Sequence, residues 1–334
     1  MGDGRLAALM MHNRFGAWRA VNDHMISGNG KRSFGPCDAV RNSCNDDCGF
    51  GVSRGNVSRS AWVNYTGRSD RYRSSYAGYT NSDWRLSMEG IQTGADLFRT
   101  KNTQFGVLFG YEGGWNRIDL DRIKAEDTFG GFYVARVLRG GADVRGVVAF
   151  GRQKYDMNRF DDLDGVMYNS SFKGRTSEVN LELGKRLSSG AWSVRPVAGL
   201  DIYTNDLRAA VETGAGIYAM AYDKTNLTQV FARFGSDLRY QVRNFTFDSG
   251  LYFSYDMNGQ ALKTGVSGTG DLSGLNPTLY GTKLGREKLT FNLGSTVQVT
   301  RNFALFGGYN GEYVADRANS RVQSAGYFGG KVNW

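Results

Sequence analysis

The sequence predicts an all-β fold: a twelve-stranded antiparallel transmembrane β-barrel with an N-terminal α-helix in the pore. Two observations carry this. From Ser60 to Trp334 apolar and polar residues alternate with period two through twelve segments, the spacing that puts one set on each face of a strand. The connections between the segments also alternate, very short on one side and mostly long on the other, as in membrane barrels.

Composition agrees. The chain has 334 residues, net charge +9, 46 glycines, three prolines and 13% aromatics. No stretch approaches the roughly 18 consecutive apolar residues of a transmembrane helix. The negative mean hydropathy does not argue against a membrane, because lumen-facing strand residues are polar. The positive balance raises the question of nucleic acid. No Lys/Arg-rich run supports it, and the charges alternate with apolar residues along strands, so nucleic acid is excluded as a partner. Met1 to Met11 carries Arg5 and a short apolar run but no convincing signal-peptide core or cleavage site. An exported chain of this sequence is therefore expected to be a fragment or a processed product.

The elements follow in order. Residues 1–30 form the first unit, with a helix predicted over 4–25: Ala, Leu, Met and Arg are frequent, and Ser27-Gly28-Asn29-Gly30 ends it. Residues 31–59 read as a linker carrying Cys37, Cys44 and Cys48. The odd count predicts one local disulfide and a free thiol in an oxidising compartment. A metal site is disfavoured, because only three thiolates and no nearby histidine are offered. Residues 60–334 form the barrel.

Its segments are expected at 60–67, 85–99, 103–113, 128–138, 142–152, 176–187, 192–204, 229–242, 245–256, 287–300, 303–315 and 319–334. The last is the clearest. Val322, Ser324, Gly326, Phe328, Gly330, Val332 and Trp334 share one face, and Arg321, Gln323, Ala325, Tyr327, Gly329, Lys331 and Asn333 the other. Short turns fall at Lys101-Asn102, Gly140-Gly141, Ser189-Gly190, Arg243-Asn244 and Arg301-Asn302, whereas 205–228 and 257–286 are long. An even strand count puts Trp334 on the short-turn side. A soluble all-β protein also alternates. Here each long strand would need a buried face that no second layer supplies, and closure solves that by removing every edge.

A barrel of this size is roughly 24 Å across between backbones, and a helix with side chains needs about 10–12 Å. One helix fits. The predicted helix has no single apolar stripe, which suits a mixed polar wall: Arg14 and Arg19 are interspersed with Phe15 and Trp18. The lumen acids expected to face it are Asp96, Glu112, Glu182, Asp201, Asp237, Asp248 and Glu312. Lumen bases include Arg136, Arg145, Arg195, Arg233, Arg239, Lys288 and Lys331, and most of these charges are expected to form internal ladders along a wet pore.

In order of elements, in Ile91-Gln92-Thr93-Gly94-Ala95-Asp96-Leu97 with its G-x-D pattern, and in the aromatic end Tyr327-Phe328-Gly329-Gly330-Lys331-Val332-Asn333-Trp334, the chain resembles the autotransporter (type V secretion) β-domain family. The resemblance covers nearly the whole chain. It implies a barrel in the outer membrane of a Gram-negative bacterium, anchoring and exporting an N-terminal passenger. The implied partners are the lipid bilayer and lipopolysaccharide, the barrel-assembly machinery, periplasmic chaperones and the chain's own passenger, with the barrel a monomer. Phe328, Val332 and Trp334 would be the assembly signal. The chain carries no passenger and lacks the Asn-Asn pair that some relatives cleave, Asn22-Asp23 being nearest. Self-cleavage is not supported, and no catalytic residue, cofactor or metal is expected. A porin or structural barrel is the main alternative. An outer-membrane protease or lipase is disfavoured because the two histidines, His12 and His24, both lie in the helix segment.

Overall fold

The structure, a computed structural model, describes residues 59–74, 84–100, 102–118, 121–259, 263–269, 274, 278–280, 285–315 and 319–334. Twelve long strands account for most of them: β1 (Ser60–Ser74), β2 (Trp84–Arg99), β3 (Thr103–Ile118), β4 (Asp121–Val137), β5 (Ala142–Asp161), β6 (Val166–Lys185), β7 (Trp192–Leu207), β8 (Thr225–Val242), β9 (Phe245–Asp256), β10 (Glu287–Gln298), β11 (Phe303–Ala315) and β12 (Asn319–Asn333). Each pairs antiparallel with its sequence neighbours. The ring closes where β1 pairs with β12, from Ser60 opposite Asn333 to Ser74 opposite Asn319. Closure leaves no open edge around the ring of twelve strands, the condition a sheet has to meet to span lipid.

Tight turns join the strands on one side. Gly140 and Gly141 adopt φ of 85° and 81° between β4 and β5, and Arg243 takes the left-handed region, φ 49°, between β8 and β9. The other side differs from expectation. The segments predicted to end at 113 and 152 run on, and those predicted to start at 128 and 176 start earlier, so that β3–β4 and β5–β6 are long hairpins rather than strands joined by long loops.

The physical reason lies in how the alternation changes sense. Low on β5, Val144, Val148 and Phe150 point outward while Asp143 and Arg145 point in. Farther along, Arg152, Lys154 and Asp156 point outward, and Tyr155 and Met157 point in. An apolar band of about 25 Å spans roughly ten residues of a strand tilted near 40°. β5 and β6 have 20 residues each, so about half of each stands beyond the band. There water lies outside and packed protein inside, and the apolar face turns inward.

What fills that inner space comes partly from the long connections. Short strands Ala210–Val211, Met220–Tyr222, Lys263–Gly268 and Thr278–Tyr280 form a small antiparallel sheet. Ala210, Tyr222 and Val266 pack with inward-facing Leu86, Met88, Ile123, Tyr155, Phe172 and Leu227 in one buried cluster.

A second apolar cluster sits lower in the barrel: Trp62, Leu108, Phe129, Tyr133, Ala135, Val147, Ala149 and Phe306. Its rings lie over glycines of the neighbouring strand. Tyr133 covers Gly106 and Phe129 covers Gly110, each directly opposite in register. A side chain at Gly106 would strike the Tyr133 ring and the Ala95 carbonyl. Gly106→Val should therefore destabilise the barrel by about 1–3 kcal/mol. The check is a lower temperature for conversion of the folded to the unfolded band on gels. Gly113→Ala, where the new methyl meets only the Tyr111 ring at ordinary distance, 3.4 Å or more, should leave it unchanged.

Candidate functional site: the barrel lumen

The lumen wall is built by the inward residues of all twelve strands, and charge dominates its lower part. At the turn end β5, β6, β7 and β8 bring Asp143, Glu182, Arg195 and Asp237 together. The Arg195 guanidinium reaches Asp143 through Nη2 at 2.5 Å and Nε at 3.0 Å. Its Nη1 reaches Asp237 at 3.0 Å and also contacts Glu182. Arg233 bridges Glu182 at 3.1 Å and Asp201 at 3.1 Å. Arg145 lies 3.3 Å from Asp143. Arg239 pairs with Asp248 at 2.5 Å, and Tyr252 donates to Asp237.

Across the lumen Asp96 collects donors from Ser60 at 2.5 Å, Gln104 and Tyr133 at 2.7 Å, and Arg99 at 3.0 Å. Midway up, Gln92 donates to Glu112 at 2.9 Å. Glu312 lies 3.5 Å from Lys288, and Arg321 joins Asp70 at 2.8 Å. All seven acids predicted for the lumen thus face it, and each already has a donor or cation on the wall. A cavity of about 110 Å³ lies among Arg145, Arg186, Arg233, Asp237, Arg239 and Lys288, room for several waters.

Above the membrane band a separate latch joins a long connection to the wall. Glu212 accepts from Arg159 Nε at 2.8 Å and Nη2 at 2.7 Å, and from Tyr222 at 2.9 Å. Arg159 also holds Asp161 at 2.7 Å. Desolvation pushes the Asp161 pKa up, but the hydrogen bonds from Arg159 and the Leu163 amide, together with the Arg159 charge, outweigh it and keep the carboxyl below its ordinary value.

Arg136 is a correction. It was expected in the lumen, yet it points outward beside Val134 and Phe132, while Tyr133 and Ala135 point in. Phe132-Tyr133-Val134-Ala135 has no polar face, so period two alone does not tell which set is inside. The register decides. Asp143, Asp70 and Glu212 were not foreseen. Asp143 stands two residues after a Gly-Gly turn, and Asp70 lies past the point where alternation fades. Glu212 sits in a connection. Arg14, Phe15, Trp18 and Arg19 lie outside the described residues, as do Cys37, Cys44 and Cys48. Phe328, Val332 and Trp334 share the outward face at the end of the chain.

A closed twelve-stranded antiparallel barrel with exposed apolar residues on its outer face and a charged, partly filled lumen has the architecture of an outer-membrane β-barrel. Comparison with known proteins gives the family. The sequence profile described as "Autotransporter beta-domain" matches residues 61–310, and the chain belongs to that family. Export of a passenger is typical of it, and its barrels are outer-membrane proteins of Gram-negative bacteria. The fold is similar to the translocator domain of autotransporter NalP from Neisseria meningitidis: TM-score 0.63, 14% identity, covering 83% of this chain and 88% of that one. It is similar also to the β-domain of the Bordetella autotransporter BrkA, TM-score 0.55, 16% identity, covering 82% and 98%. The transport unit of AIDA-I from Escherichia coli gives TM-score 0.55 and 14% identity over 82% and 90%. No curated protein sequence matches the chain.

Arg195 is the hub of the lower ladder and is fully buried. Removing one partner from a buried ion network leaves the others uncompensated, a cost of roughly 3–5 kcal/mol. Arg195→Ala should lower the unfolding temperature of the purified barrel markedly, and Arg195→Met with Asp143→Asn should recover part of the loss.

Proposed function

We propose that this barrel exports a passenger attached N-terminally through its own lumen and then retains the segment before Ser60 there as a plug. The observation that carries the reading is where the barrel begins. Arg59 and Trp334 exchange backbone hydrogen bonds of 2.9 and 3.0 Å, on the side of the tight turns. Tight turns face the periplasm in bacterial barrels. A chain continuing N-terminally from Arg59 thus starts at the periplasmic mouth, and the lumen is its shortest path to the surface.

The wall suits a sliding polypeptide. The seven acids named above already have a donor or a cation on the wall, so it offers alternating donors and acceptors and fewer bare charges that would trap a passing segment. The helix predicted over 4–25 occupies this lumen. Phe15 and Trp18 fill its width, and Arg14 and Arg19 compete for the wall acids. Residues 31–59, with the three cysteines, link helix and barrel. The barrel rests in the lipid bilayer of the outer membrane, among lipopolysaccharide, as a monomer without enzymatic activity. Periplasmic chaperones and the barrel-assembly machinery deliver it there.

Single-channel conductance in planar bilayers tests the plug. Deleting residues 1–30 should raise conductance sharply. Arg14→Gln with Arg19→Gln should raise it less. Equal conductance with and without residues 1–30 would replace the plugged translocator by an open porin.

The end of the chain supports a role in assembly, because Phe328, Val332 and Trp334 form an apolar stripe on the outward face of β12. A charge in that stripe is expensive in lipid. Trp334→Asp should reduce the folded, membrane-inserted fraction in cells. Wild-type yields of the variant in the outer membrane would remove the stripe's role.

A further inference from the structure

Directly opposed cations occur on the outer wall of β5 and β6. Arg152 stands opposite Arg175, and Lys154 opposite Lys173. All four are exposed. Like charges directly opposite across two strands repel. Lys154 has Asp156 beside it at 2.7 Å, but none of Arg152, Lys173 and Arg175 forms an ion pair among the described residues. Asp206 lies opposite Arg175 on β7 and offsets one charge of the four.

Immediately toward the turn side the same surface turns apolar and concave. Phe109, Gly130, Phe150, Ser177 and Thr204 follow one another across β3 to β7 in register. The two phenylalanines stand out from the wall, while the glycine and the two hydroxyl residues stay low. The result is a groove of about 580 Å³ with Arg152 and Arg175 at its upper edge. Arg152 lies at the level where the outward face changes from apolar to charged. In a membrane that level is the boundary between acyl chains and headgroups.

We propose that this groove binds a phosphorylated glycolipid of the outer leaflet, with an acyl chain between Phe109 and Phe150 and a phosphate across Arg152 and Arg175. The proposal rests on the outer-membrane reading above and names its lipid partner at one place on the wall. Guanidinium groups bind phosphate through paired hydrogen bonds, and a dianionic phosphate removes the repulsion between the opposed cations. Lys173, one row farther out and without an ion pair among the described residues, is placed for a second phosphate or an acidic sugar. Both halves of the site are needed: a soluble anion gains nothing from the groove, and a neutral lipid gains nothing from the cations.

The test uses the purified full chain in neutral detergent, titrated with bisphosphorylated lipid A and read by native mass spectrometry. The phosphorylated lipid should be retained at least tenfold more tightly than its dephosphorylated counterpart. Inorganic phosphate at the same concentration should not displace it. Arg152→Gln with Arg175→Gln should abolish the difference. Arg117→Gln with Arg122→Gln, a third opposed pair outside the groove, should preserve it. Heat-modifiable migration on gels reports that each variant is folded. Equal retention of the two lipids by the wild-type chain overturns the proposal without any variant. Displacement by inorganic phosphate, or equal loss in both double variants, overturns it in favour of general charge attraction. Envelope fractionation reports separately whether the chain reaches the outer membrane. Its absence there would remove the translocator reading, while the detergent titration judges the groove.

Discussion

Every backbone donor and acceptor within the membrane band has to find its partner inside the protein, because lipid offers none. The pairing of β1 with β12 meets that constraint, and the rest of the structure depends on it. Residues 60–74 and 319–333 lie at opposite ends of the barrel sequence, yet they form a ladder in unbroken register. Once the ring is closed, each strand has an inside and an outside, and side chains sort between them by alternation alone. Closure also fixes where the chain enters, since Arg59 and Trp334 meet at the turn side.

Closure creates a second problem, an interior too wide for one layer of aliphatic side chains and too dry for free charges. Two solutions are visible. On β3 and β4 rings lie over glycines of the adjacent strand, Tyr133 over Gly106 and Phe129 over Gly110, so aromatic bulk is stored along the wall. On β5 to β8 charges are stored the same way, in ladders such as Asp143–Arg195–Asp237 and Glu182–Arg233–Asp201. Such ladders are weak sources of net stability but costly to break at one member. They also keep the wall close to neutral locally, which suits a conduit for an unfolded chain.

The outer surface obeys a different solvent in each zone. Phe109 and Phe150 face the acyl layer, and Arg152, Lys154, Lys173 and Arg175 face the region beyond. Within a few residues the chain changes from a lipid-facing to a water-facing exterior without any break in the ladder. That boundary is where a groove and a set of opposed cations coincide. It is also where the small sheet carrying Tyr222 and Val266 begins to fill the interior.

The sequence by itself determined the number of strands, their order, the positions of the tight turns and the faces of the clearest strands. The reason is that period two and turn chemistry are local properties, readable in Val322 to Trp334 or in Gly140-Gly141. It also suggested which acids line the lumen, because an acid alternating with apolar residues along a strand is placed on the face opposite the lipid. Tertiary structure alone decided what depends on the partner strand and on height in the membrane. Arg136 points outward because register, not composition, orients a strand that is apolar on both faces. β5 and β6 continue to Asp161 and from Val166, because the pattern inverts where lipid gives way to water, and an inverted alternation looks in sequence like the end of a strand. Asp143 beside Arg195, 52 residues apart, and Arg159 beside Glu212, 53 apart, are neighbours only because the closed sheet and its folded connections bring them together.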